Sequence, residues 1–454
     1  MNKGMKLNIL ARDTLLNTAR QGLAIVLGMG ISVLLARGLG VFGRGQYAII
    51  ILLPTLIVTF SNLGVSSATA YYVALGKYDK FQALQSNIAL FLWISLISIG
   101  VGIVVVTFLS DILFKGISQS LLFFALLSIP TRILILYVQS VFHGLQDFES
   151  YNLISLAPQF FALLFTVLFL QILHLGVWGA ILANIASFFF ATLFLFFIIN
   201  KRLQPQYKAW GNYLLPNKKY TRDIFKYGFK SHLSNIVAFL NYRADMLLVN
   251  FFIGASSVGI YGVSVGIAEK LWILSGSVSS VIFPKIASLK NEENKRNTIT
   301  PLITRQIFAF SFALVVFIGV FSKWIILFLY GNEYQQSIIV LVWLLPGIVM
   351  VSVSRILAND IAGRGLPQIN LIHSTVVFGI NIVANIILLP KIGVLGASIA
   401  TSISYSFLAI IKTSAYCKIT GVKWYSVWFL TKEDILGWKI LYKKLLNKYA
   451  KNKI

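Results

Sequence analysis

Basic side chains lie within several apolar stretches of this sequence, where a membrane-spanning helix would hold them inside the bilayer. Arg132 is in the middle of one stretch, and Ser128, Gln139 and His143 share its helical face within about 60° of arc. A charge at mid-bilayer costs roughly 2.5–3.5 kcal/mol on insertion scales, so it normally faces protein or water. Because a guanidinium offers a bidentate fork to phosphate oxygens, this stripe predicts one wall of a hydrated anion site.

Similar polar stripes occur in other apolar stretches. Lys230, Asn241 and Asp245 share a face of one stretch, and Ser352 and Arg355 share a face of another. Fixed cations would bind an anionic group, and Ser, Asn and Gln side chains would bind hydroxyl groups beside it. The predicted binding residues are Arg132, Arg243, Arg355, Lys230, Arg20, Gln139 and Asn241.

A structural role stays open for each of these residues. Arg20 and Lys230 lie near helix ends, where a long side chain can extend its charge to the membrane surface. Arg243 points away from the face that carries Lys230, so one of the two faces must pack against a neighbouring helix. Buried carboxylates can pair with these cations or carry a coupling H⁺ or Na⁺. The ion-coupling candidates are Asp245, Glu269 and Asp360.

No arrangement of residues typical of an enzyme stands out. The histidines, His143, His174, His232 and His373, lie on different segments without the spacing of metal ligands. The sequence also has no Gly-rich phosphate loop that ends in Lys-Ser or Lys-Thr. We therefore predict no catalytic residue, no metal site and no cofactor apart from a coupling ion.

The elements that must hold these residues are membrane-spanning helices. The chain is 57% hydrophobic and 12% charged, and its mean hydropathy is +0.81, whereas soluble domains carry about 25% charged residues. Apolar stretches long enough to cross a hydrocarbon core of about 30 Å recur along the whole chain. We predict an all-α integral membrane protein with about 12 transmembrane helices. The predicted spans are residues 14–36, 46–73, 84–109, 119–143, 152–173, 177–199, 224–252, 258–283, 302–330, 337–361, 368–389 and 394–416.

Basic residues outside the spans set the predicted orientation. Most of them share a side with the termini, and the C-terminal tail adds about ten more, counted from Lys412 to Lys453. The opposite side shows little beyond Arg37, Arg44, Lys115 and Lys391. The positive-inside rule therefore places both termini in the cytoplasm. It also accounts for the net charge of +25, so no nucleic-acid partner is predicted.

The two halves of the sequence resemble each other at matching places. The pattern G-x4-G-x-Y occurs at residues 40–47 and again at residues 254–261, and other matches keep a similar offset of roughly 215 residues. Parallel repeats of this kind form two bundles with a cavity between them, which is typical of transporters. We predict two six-helix lobes related by pseudo-two-fold symmetry and a basic cytoplasmic tail, which is expected to form an amphipathic surface helix. These regions are residues 1–216, 217–419 and 420–454.

A series of short motifs, spread over nearly the whole chain, matches the pattern of a known family. The first motifs are residues 35–47, which begin with LARGLG, and residues 62–68, NLGVSSA. The later ones are Arg243-x-Asp245 with residues 254–261, residues 280–289, residues 330–334 (YGNEY) and residues 393–401. Together they resemble the polysaccharide transporter (O-antigen flippase) family of the multidrug/oligosaccharidyl-lipid/polysaccharide (MOP) exporter superfamily.

The resemblance implies a fold and a function. The fold would be two six-helix lobes in a MATE-like V shape around a cationic cavity. The substrate would be an oligosaccharide linked to undecaprenyl diphosphate or another polyprenyl diphosphate. Alternating access would flip it to the outer leaflet of a bacterial inner membrane, for cell-surface polysaccharide synthesis beside polymerase and assembly proteins.

Two other functions stay open at this point. A multidrug or organic-cation antiporter of the same superfamily should concentrate carboxylates in its cavity, whereas Arg and Lys outnumber the acids within the spans here. A membrane glycosyltransferase or polymerase needs a large external loop with catalytic acids, and the predicted external loops are short. The residues therefore favour an anionic cargo.

Overall fold

The computed structural model describes residues 3–203, 215–272, 275–276, 286, 292–432 and 434, with the backbone alone for residues 3–19 and 230–231. All regular structure in these ranges is helical. Hydrocarbon offers no partner for a backbone N–H or C=O, and a helix satisfies both within itself. The predicted all-α membrane class is therefore confirmed.

Long helices follow one another along the chain with short connections. The first half contains α1 (Lys3–Ser61), α2 (Val65–Ala74), α3 (Lys80–Leu113), α4 (Gln119–Leu126), α5 (Ile129–Gly144), α6 (Phe148–Thr166, continued by the π-helical turn Val167–Ile172) and α7 (Gly176–Leu203). The second half contains α8 (Lys218–Phe252), α9 (Ala255–Ala268, continued by the 3₁₀ turn Glu269–Leu271), α10 (Glu293–Tyr330), the 3₁₀ turn Asn332–Tyr334, α11 (Gln336–Gly363), α12 (Pro367–Ile392), α13 (Val394–Thr420) and α14 (Tyr425–Trp428).

Within the described residues, 9 helical stretches are long and apolar enough to cross a membrane. One of them is the part of α1 from Arg20 to Ser61, whose 42 residues are twice the length that one crossing needs. The chain is therefore a multi-pass membrane protein. The predicted number of about 12 spans stays a prediction.

Glycines place the breaks in the first two helices. Gly40 lies inside α1 with φ 64° and ψ −178°, so α1 consists of two helical segments that meet at this residue. Gly64 has φ 77° and separates α1 from α2. Other residues rarely adopt such positive φ angles, whereas glycine adopts them at little cost. The break predicted between the first two spans thus falls on Gly40.

The chain packs into two compact units. Unit 1 comprises residues 1–263, 326–337 and 386–394, and unit 2 comprises residues 264–325, 338–385 and 395–454. Each unit has its own apolar cores, one formed by α3, α5, α6 and α7 in unit 1 and another by α11, α13 and α14 in unit 2. The division into lobes at residue 216 stays a prediction.

The two copies of the repeated glycine motif cross each other inside unit 1. A Cβ added at Gly45 would overlap the carbonyl oxygen of Ala255 and lie 2.9 Å from the Gly259 nitrogen. A Cβ added at Gly259 would overlap the carbonyl oxygen of Val41 and lie 3.2 Å from the Gly45 nitrogen. The contact is reciprocal, and its closeness explains why both helices carry glycine there. The motif glycines are packing residues.

Candidate functional site

The break between α4 and α5 positions Arg132. Pro130 lies in the first turn of α5, where its missing N–H needs no partner, and the Arg132 amide donates to the Ser128 carbonyl at 3.2 Å. The Arg132 side chain leaves the helix two residues after this proline. The sequence therefore holds Arg132 at a defined depth within the predicted fourth span.

A first cationic cluster surrounds Arg132 in unit 1. Its guanidinium donates to Asn184 Oδ1 at 2.7 Å and to Thr55 Oγ1 at 3.3 Å. Its Cζ lies 4.2 Å from the centre of the Phe188 ring, so the charge also contacts an aromatic face. The buried Nε has no hydrogen-bond partner within the described part of the chain. Neutral groups from α1 and α7 thus hold this cation and leave one donor available.

Arg44 extends this cluster from the second segment of α1. Its guanidinium lies 5.7 Å from the centre of the Tyr47 ring, and Tyr47 in turn faces Arg132 and Asn184. The Nε of Arg44 is buried and, among the described residues, has no hydrogen-bond partner either. The two arginines flank one tyrosine, and each keeps an unused donor.

The second copy of the repeated motif gives its tyrosine a different neighbour. Tyr261, the counterpart of Tyr47, donates its hydroxyl proton to the buried carboxylate of Asp245. Asp245 is one of the predicted ion-coupling residues. The same motif position therefore lies beside two cations in one copy and beside an acid in the other.

An ion pair and a group of tyrosines join α2 and the connection that follows it to α8 in unit 1. Lys77 Nζ and the Tyr78 hydroxyl both donate to Asp223 Oδ2, at 2.7 and 2.6 Å. These two bonds, led by that of Lys77, keep the pKa of Asp223 below its ordinary value. Burial, together with the nearby carboxylate, raises the pKa of Tyr78 to about 12. Tyr71 and Tyr227 stack beside this pair with ring centres 4.2 Å apart.

Unit 2 carries a second cationic cluster, on α11, α12 and α13. The Cζ of Arg355 lies 4.3 Å from the centre of the Trp272 ring. Lys412, only 5% exposed, interacts electrostatically with Arg355, and His373 interacts in the same way with Lys412. Two basic side chains, Lys412 of α13 and Arg355 of α11, therefore lie near each other in unit 2, with His373 of α12 beside Lys412.

Asp360, the second acid predicted to couple an ion, is buried in unit 2. Thr300 Oγ1 donates to its Oδ2 at 2.6 Å, and Arg364 forms an ion pair with its other oxygen. Arg364 also donates to Asn297 Oδ1 at 2.9 Å. This is the arrangement of a structural ion pair, which was the alternative left open from the sequence. Ion coupling by Asp360 stays a prediction.

The remaining predicted binding residues occupy separate places. Arg20 donates to Ser155 Oγ at 3.0 Å, and Gln139 donates to the Tyr151 carbonyl at 3.3 Å, so both join their helices to α6. The amide of Asn241 donates within α8, to the Val237 carbonyl. Arg243, whose guanidinium donates to the Tyr242 carbonyl at 3.4 Å, is half-buried. Glu269 lies in the 3₁₀ turn after α9, and the side chain of Lys230 lies outside the described residues.

Sequence reasoning described two of the cluster residues incompletely. Arg44 was counted on the external side, which stays a prediction, and the structure adds that α1 resumes after Gly40 and carries Arg44 in unit 1. Lys412 was counted with the basic tail although it falls within the predicted span 394–416, and the structure buries it in α13. Asn184, which anchors Arg132, was not singled out. Helical spacing could not predict that Lys412 lies near Arg355, because the two residues lie on different helices.

The start of the predicted surface helix is held by a buried ion pair. Arg305 Nε and Nη2 donate to the two oxygens of Asp434, at 2.5 and 2.8 Å. Thr431 donates to Asp434 through its amide and its hydroxyl, both at 2.8 Å, as expected for a helix-capping pair. The bonds, foremost those from Arg305, lower the pKa of Asp434 to about 2. The predicted helix beyond Asp434, like residues 280–285 and 287–289 of one motif, lies outside the described residues.

Comparison with known proteins identifies relatives of this chain. Residues 34–339 match the family described as polysaccharide biosynthesis protein. The probable low-salt glycan biosynthesis flippase Agl15 of Haloferax volcanii is 26% identical over 228 residues, 47% of each chain. The capsular polysaccharide biosynthesis protein CapF of Staphylococcus aureus is 24% identical over 380 residues, 81% of this chain and 89% of that protein. The match spans about half the length of Agl15.

Solved structures with the same fold are also known. The lipid II flippase MurJ in an inward closed conformation superposes with a TM-score of 0.73, at 19% identity, over 88% of this chain and 87% of that one. An inward-facing multidrug resistance MATE transporter of the MOP superfamily superposes with a TM-score of 0.69, at 18% identity, over 88% and 94%. At these identities the likeness establishes the fold.

Proposed function

This chain belongs to the polysaccharide biosynthesis protein family, and on that premise we propose that it flips a polyprenyl-diphosphate-linked oligosaccharide across a membrane. The resemblance seen in its motifs is confirmed by that match and by the shared fold. The names of its relatives, a glycan biosynthesis flippase and a capsular polysaccharide biosynthesis protein, support a cargo of this kind. Cell-surface polysaccharide synthesis is the process that the cargo would serve.

The observation that carries the proposal is the cluster around Arg132. A diphosphate cannot cross hydrocarbon without groups that replace its hydration, and a guanidinium supplies charge and directed N–H donors together. Arg132 and Arg44 each keep a buried Nε donor that no described residue uses. Neutral groups fix Arg132 in place, so no internal carboxylate has to be displaced before an anion binds. The N–H donors of this cluster are suited to bind a phosphate oxygen.

The glycan and the polyprenyl chain of the substrate need fewer specific contacts with the protein than the diphosphate does. Asn184, Gln139 and other amide and hydroxyl groups can exchange hydrogen bonds with a glycan. The polyprenyl chain can stay in the bilayer while its headgroup moves. Several modest contacts serve a carrier better than one tight site, because the headgroup must leave on the far side. Alternating access would release it there.

The proposal extends to orientation, location and energy source. The bias of Lys and Arg supports cytoplasmic termini, in the inner membrane of a bacterium. A coupling H⁺ or Na⁺ would bind at carboxylates, of which Asp245 is buried beside Tyr261. Assembly with polysaccharide polymerases would follow from the shared substrate.

An organic-cation antiporter is the second candidate, because MATE transporters share the fold. A cation carrier would need carboxylates that are open to a positively charged cargo. In the part of unit 2 that the structure describes, Asp360 is held by Arg364 and Asp434 by Arg305. This engagement of the acids favours the anionic cargo.

Headgroup translocation in proteoliposomes tests the function. The purified chain should move a fluorescent polyprenyl-diphosphate glycan between leaflets, and Arg132→Ala and Arg243→Ala should slow this at least tenfold. Tenfold corresponds to about 1.4 kcal/mol, which is within the value of one charged hydrogen bond. Arg202→Ala is the matched control, because Arg202 pairs with Glu149 at the surface.

Two results would count against this function. One is a wild-type chain that leaves the glycan in its original leaflet, and the other is a wild-type chain that elongates the glycan without moving it. Normal flipping by both Arg132→Ala and Arg243→Ala would instead reject their assignment as binding residues.

A further inference from the structure

We propose that the first turns of α8 form a binding surface for an anionic phospholipid, on the side of the membrane where the chain termini are predicted to lie. The basic side chains of this surface are Lys218, Lys219, Arg222 and Lys226, and all four are exposed. None of them belongs to the cluster around Arg132. The surface therefore does not depend on which cargo the protein moves.

The four cations share one face of α8. At 100° per residue they lie within about 100° of arc. Tyr220 and Ile224, which are completely buried, lie on the opposite side of the same turns. The beginning of α8 thus packs against the protein through one side and presents positive charge on the other.

The exposed face of α8 becomes apolar within one further turn. Phe229 and Leu233 lie within the same arc as the cations, and their exposed fractions are 62% and 44%. Phe229 follows Lys226 by three residues, which is about 4.5 Å along the helix axis. Both apolar side chains lie in the predicted span 224–252, where a hydrated cavity would carry polar groups instead. The face therefore changes from charge to hydrocarbon contact over a short distance, as a phospholipid does.

The acids of this region do not balance the charge of the face. Asp223 is the only acid in the first five turns of α8, and Lys77 and Tyr78 already bond to its carboxylate. Lys219 lies near enough to Asp223 to interact with it electrostatically. Within the described part of the chain, the side chains of the other three cations form no ion pair. An anion from outside the protein is therefore the complement of this face.

An anionic phospholipid matches both halves of the face. Its phosphate lies at the membrane surface, to which Lys and Arg side chains extend their charges, and its acyl chains would lie along Phe229 and Leu233. A soluble anion would leave the apolar half uncovered. The positive-inside rule accounts for basic residues in this connection, but it does not require them to share a face with exposed apolar side chains.

Lipid quenching at residue 229 tests the surface. The full-length Phe229→Cys chain, in a Cys417→Ser background that removes the one native cysteine, would be labelled with bimane and placed in nanodiscs. Brominated phosphatidylglycerol, mixed with unbrominated phosphatidylcholine, should half-quench the label at a mole fraction about fivefold lower than brominated phosphatidylcholine does. A label at Val104→Cys, on the exposed apolar surface of α3, should show no preference. Equal quenching by the two lipids at residue 229, or the same preference at both positions, would overturn the proposal.

Charge removal assigns the preference to these cations. Lys218→Gln, Arg222→Gln and Lys226→Gln together should abolish it at residue 229, because each cation near an anionic membrane surface favours binding by about fivefold. The control removes three exposed lysines at other helix ends, Lys115→Gln, Lys323→Gln and Lys391→Gln, and should leave the preference unchanged. A preference that survives the first triple variant, or that is lost equally in the control, would reject the surface on α8.

Inorganic pyrophosphate distinguishes a phospholipid from a diphosphate at the same cations. In excess, it should reduce quenching by brominated phosphatidylglycerol no more than sulfate does at equal ionic strength, because the acyl chains also hold the lipid in place. Displacement of the lipid by pyrophosphate and not by sulfate would assign the cations to a diphosphate and reject the phospholipid.

Discussion

The two units of this protein stabilise buried charge in different ways. In unit 1, Arg132 is held by an amide, a hydroxyl and an aromatic ring, and the ion pair of Lys77 with Asp223 lies at the surface. In unit 2 two ion pairs are internal, between Asp360 and Arg364 and between Asp434 and Arg305. Asp360 thus pairs within α11 and also accepts from Thr300 of α10, and Asp434 joins its segment to α10.

The comparison shows how one fold can keep cations both buried and available. Neutral partners position an arginine without cancelling its charge, as around Arg132. Acids cancel the charge of the arginines that they bind, so those arginines are structural. A cation that binds a ligand is therefore expected where no carboxylate is near it, or where the nearby carboxylates already pair with other groups.

Removal of Asp360 should give the largest effect and tests whether the ion pairs of unit 2 are structural. Asp360→Ala leaves Arg364, whose side chain is 6% exposed, buried without its partner. Breaking a buried pair from one side costs about 3–5 kcal/mol, so the free energy of unfolding should fall by that amount. Denaturant unfolding in detergent measures it.

Glu293→Ala is the matched control for this experiment. Glu293 lies 3.9 Å from the same Arg364, but its side chain is 69% exposed, so the loss should be below about 1 kcal/mol. Equal losses in the two variants would mean that the internal position of Asp360 adds nothing, and the contrast between the units would fail.

Removal of the neutral anchor in unit 1 should have an intermediate effect. Asn184→Ala takes away the 2.7 Å bond to the Arg132 guanidinium. Hydrogen bonds to charged groups contribute about 1.5–3 kcal/mol, and unfolding free energy should fall within that range. Thr55→Val, which removes a longer bond of 3.3 Å, should cost less. If neither variant is destabilised, neutral groups do not hold Arg132.

Acid should release the segment around Asp434, a smaller and local effect. Because Arg305 lowers the pKa of Asp434 to about 2, this contact contributes fully above the ordinary carboxyl pKa near 4. Its contribution is lost as the pH falls from about 4 through 2, because the native carboxylate then binds a proton. Hydrogen exchange of residues 425–432 should show more protection in wild type than in Asp434→Asn at neutral pH.

The difference in protection between wild type and Asp434→Asn should shrink as the pH falls below about 4. A difference that stays constant down to pH 2 would show that the ion pair does not hold this segment. A loss of protection that begins near neutral pH would point to another titrating group.

Much of the fold could be predicted because the membrane imposes strong local rules. The length of the apolar stretches predicted the helices. The first glycine of G-x4-G-x-Y predicted the break at Gly40, where the backbone has a positive φ. Helical spacing also selected Arg132, because its polar neighbours lie on its own helix. These features are readable from consecutive residues.

The parts that could not be predicted depend on contacts between helices. Arg44 is separated from the first predicted span by Arg37 and three glycines, and only the geometry at Gly40 shows that the helix resumes before it. Lys412 lies near the basic tail in sequence, and its burial depends on α11 and α12 packing against α13. A single sequence contains no information on these contacts between helices, so it does not distinguish a buried lysine from a lysine at the surface.

The reciprocal crossing of Gly45 and Gly259 has a consequence for the origin of the molecule. Each motif presents the same glycine to the same backbone carbonyl position of the other, as two identical chains do across a dimer axis. A shorter ancestral protein with a single motif would have been able to form this contact with a second copy of itself. Gene duplication and fusion would then have joined partners that already fitted together.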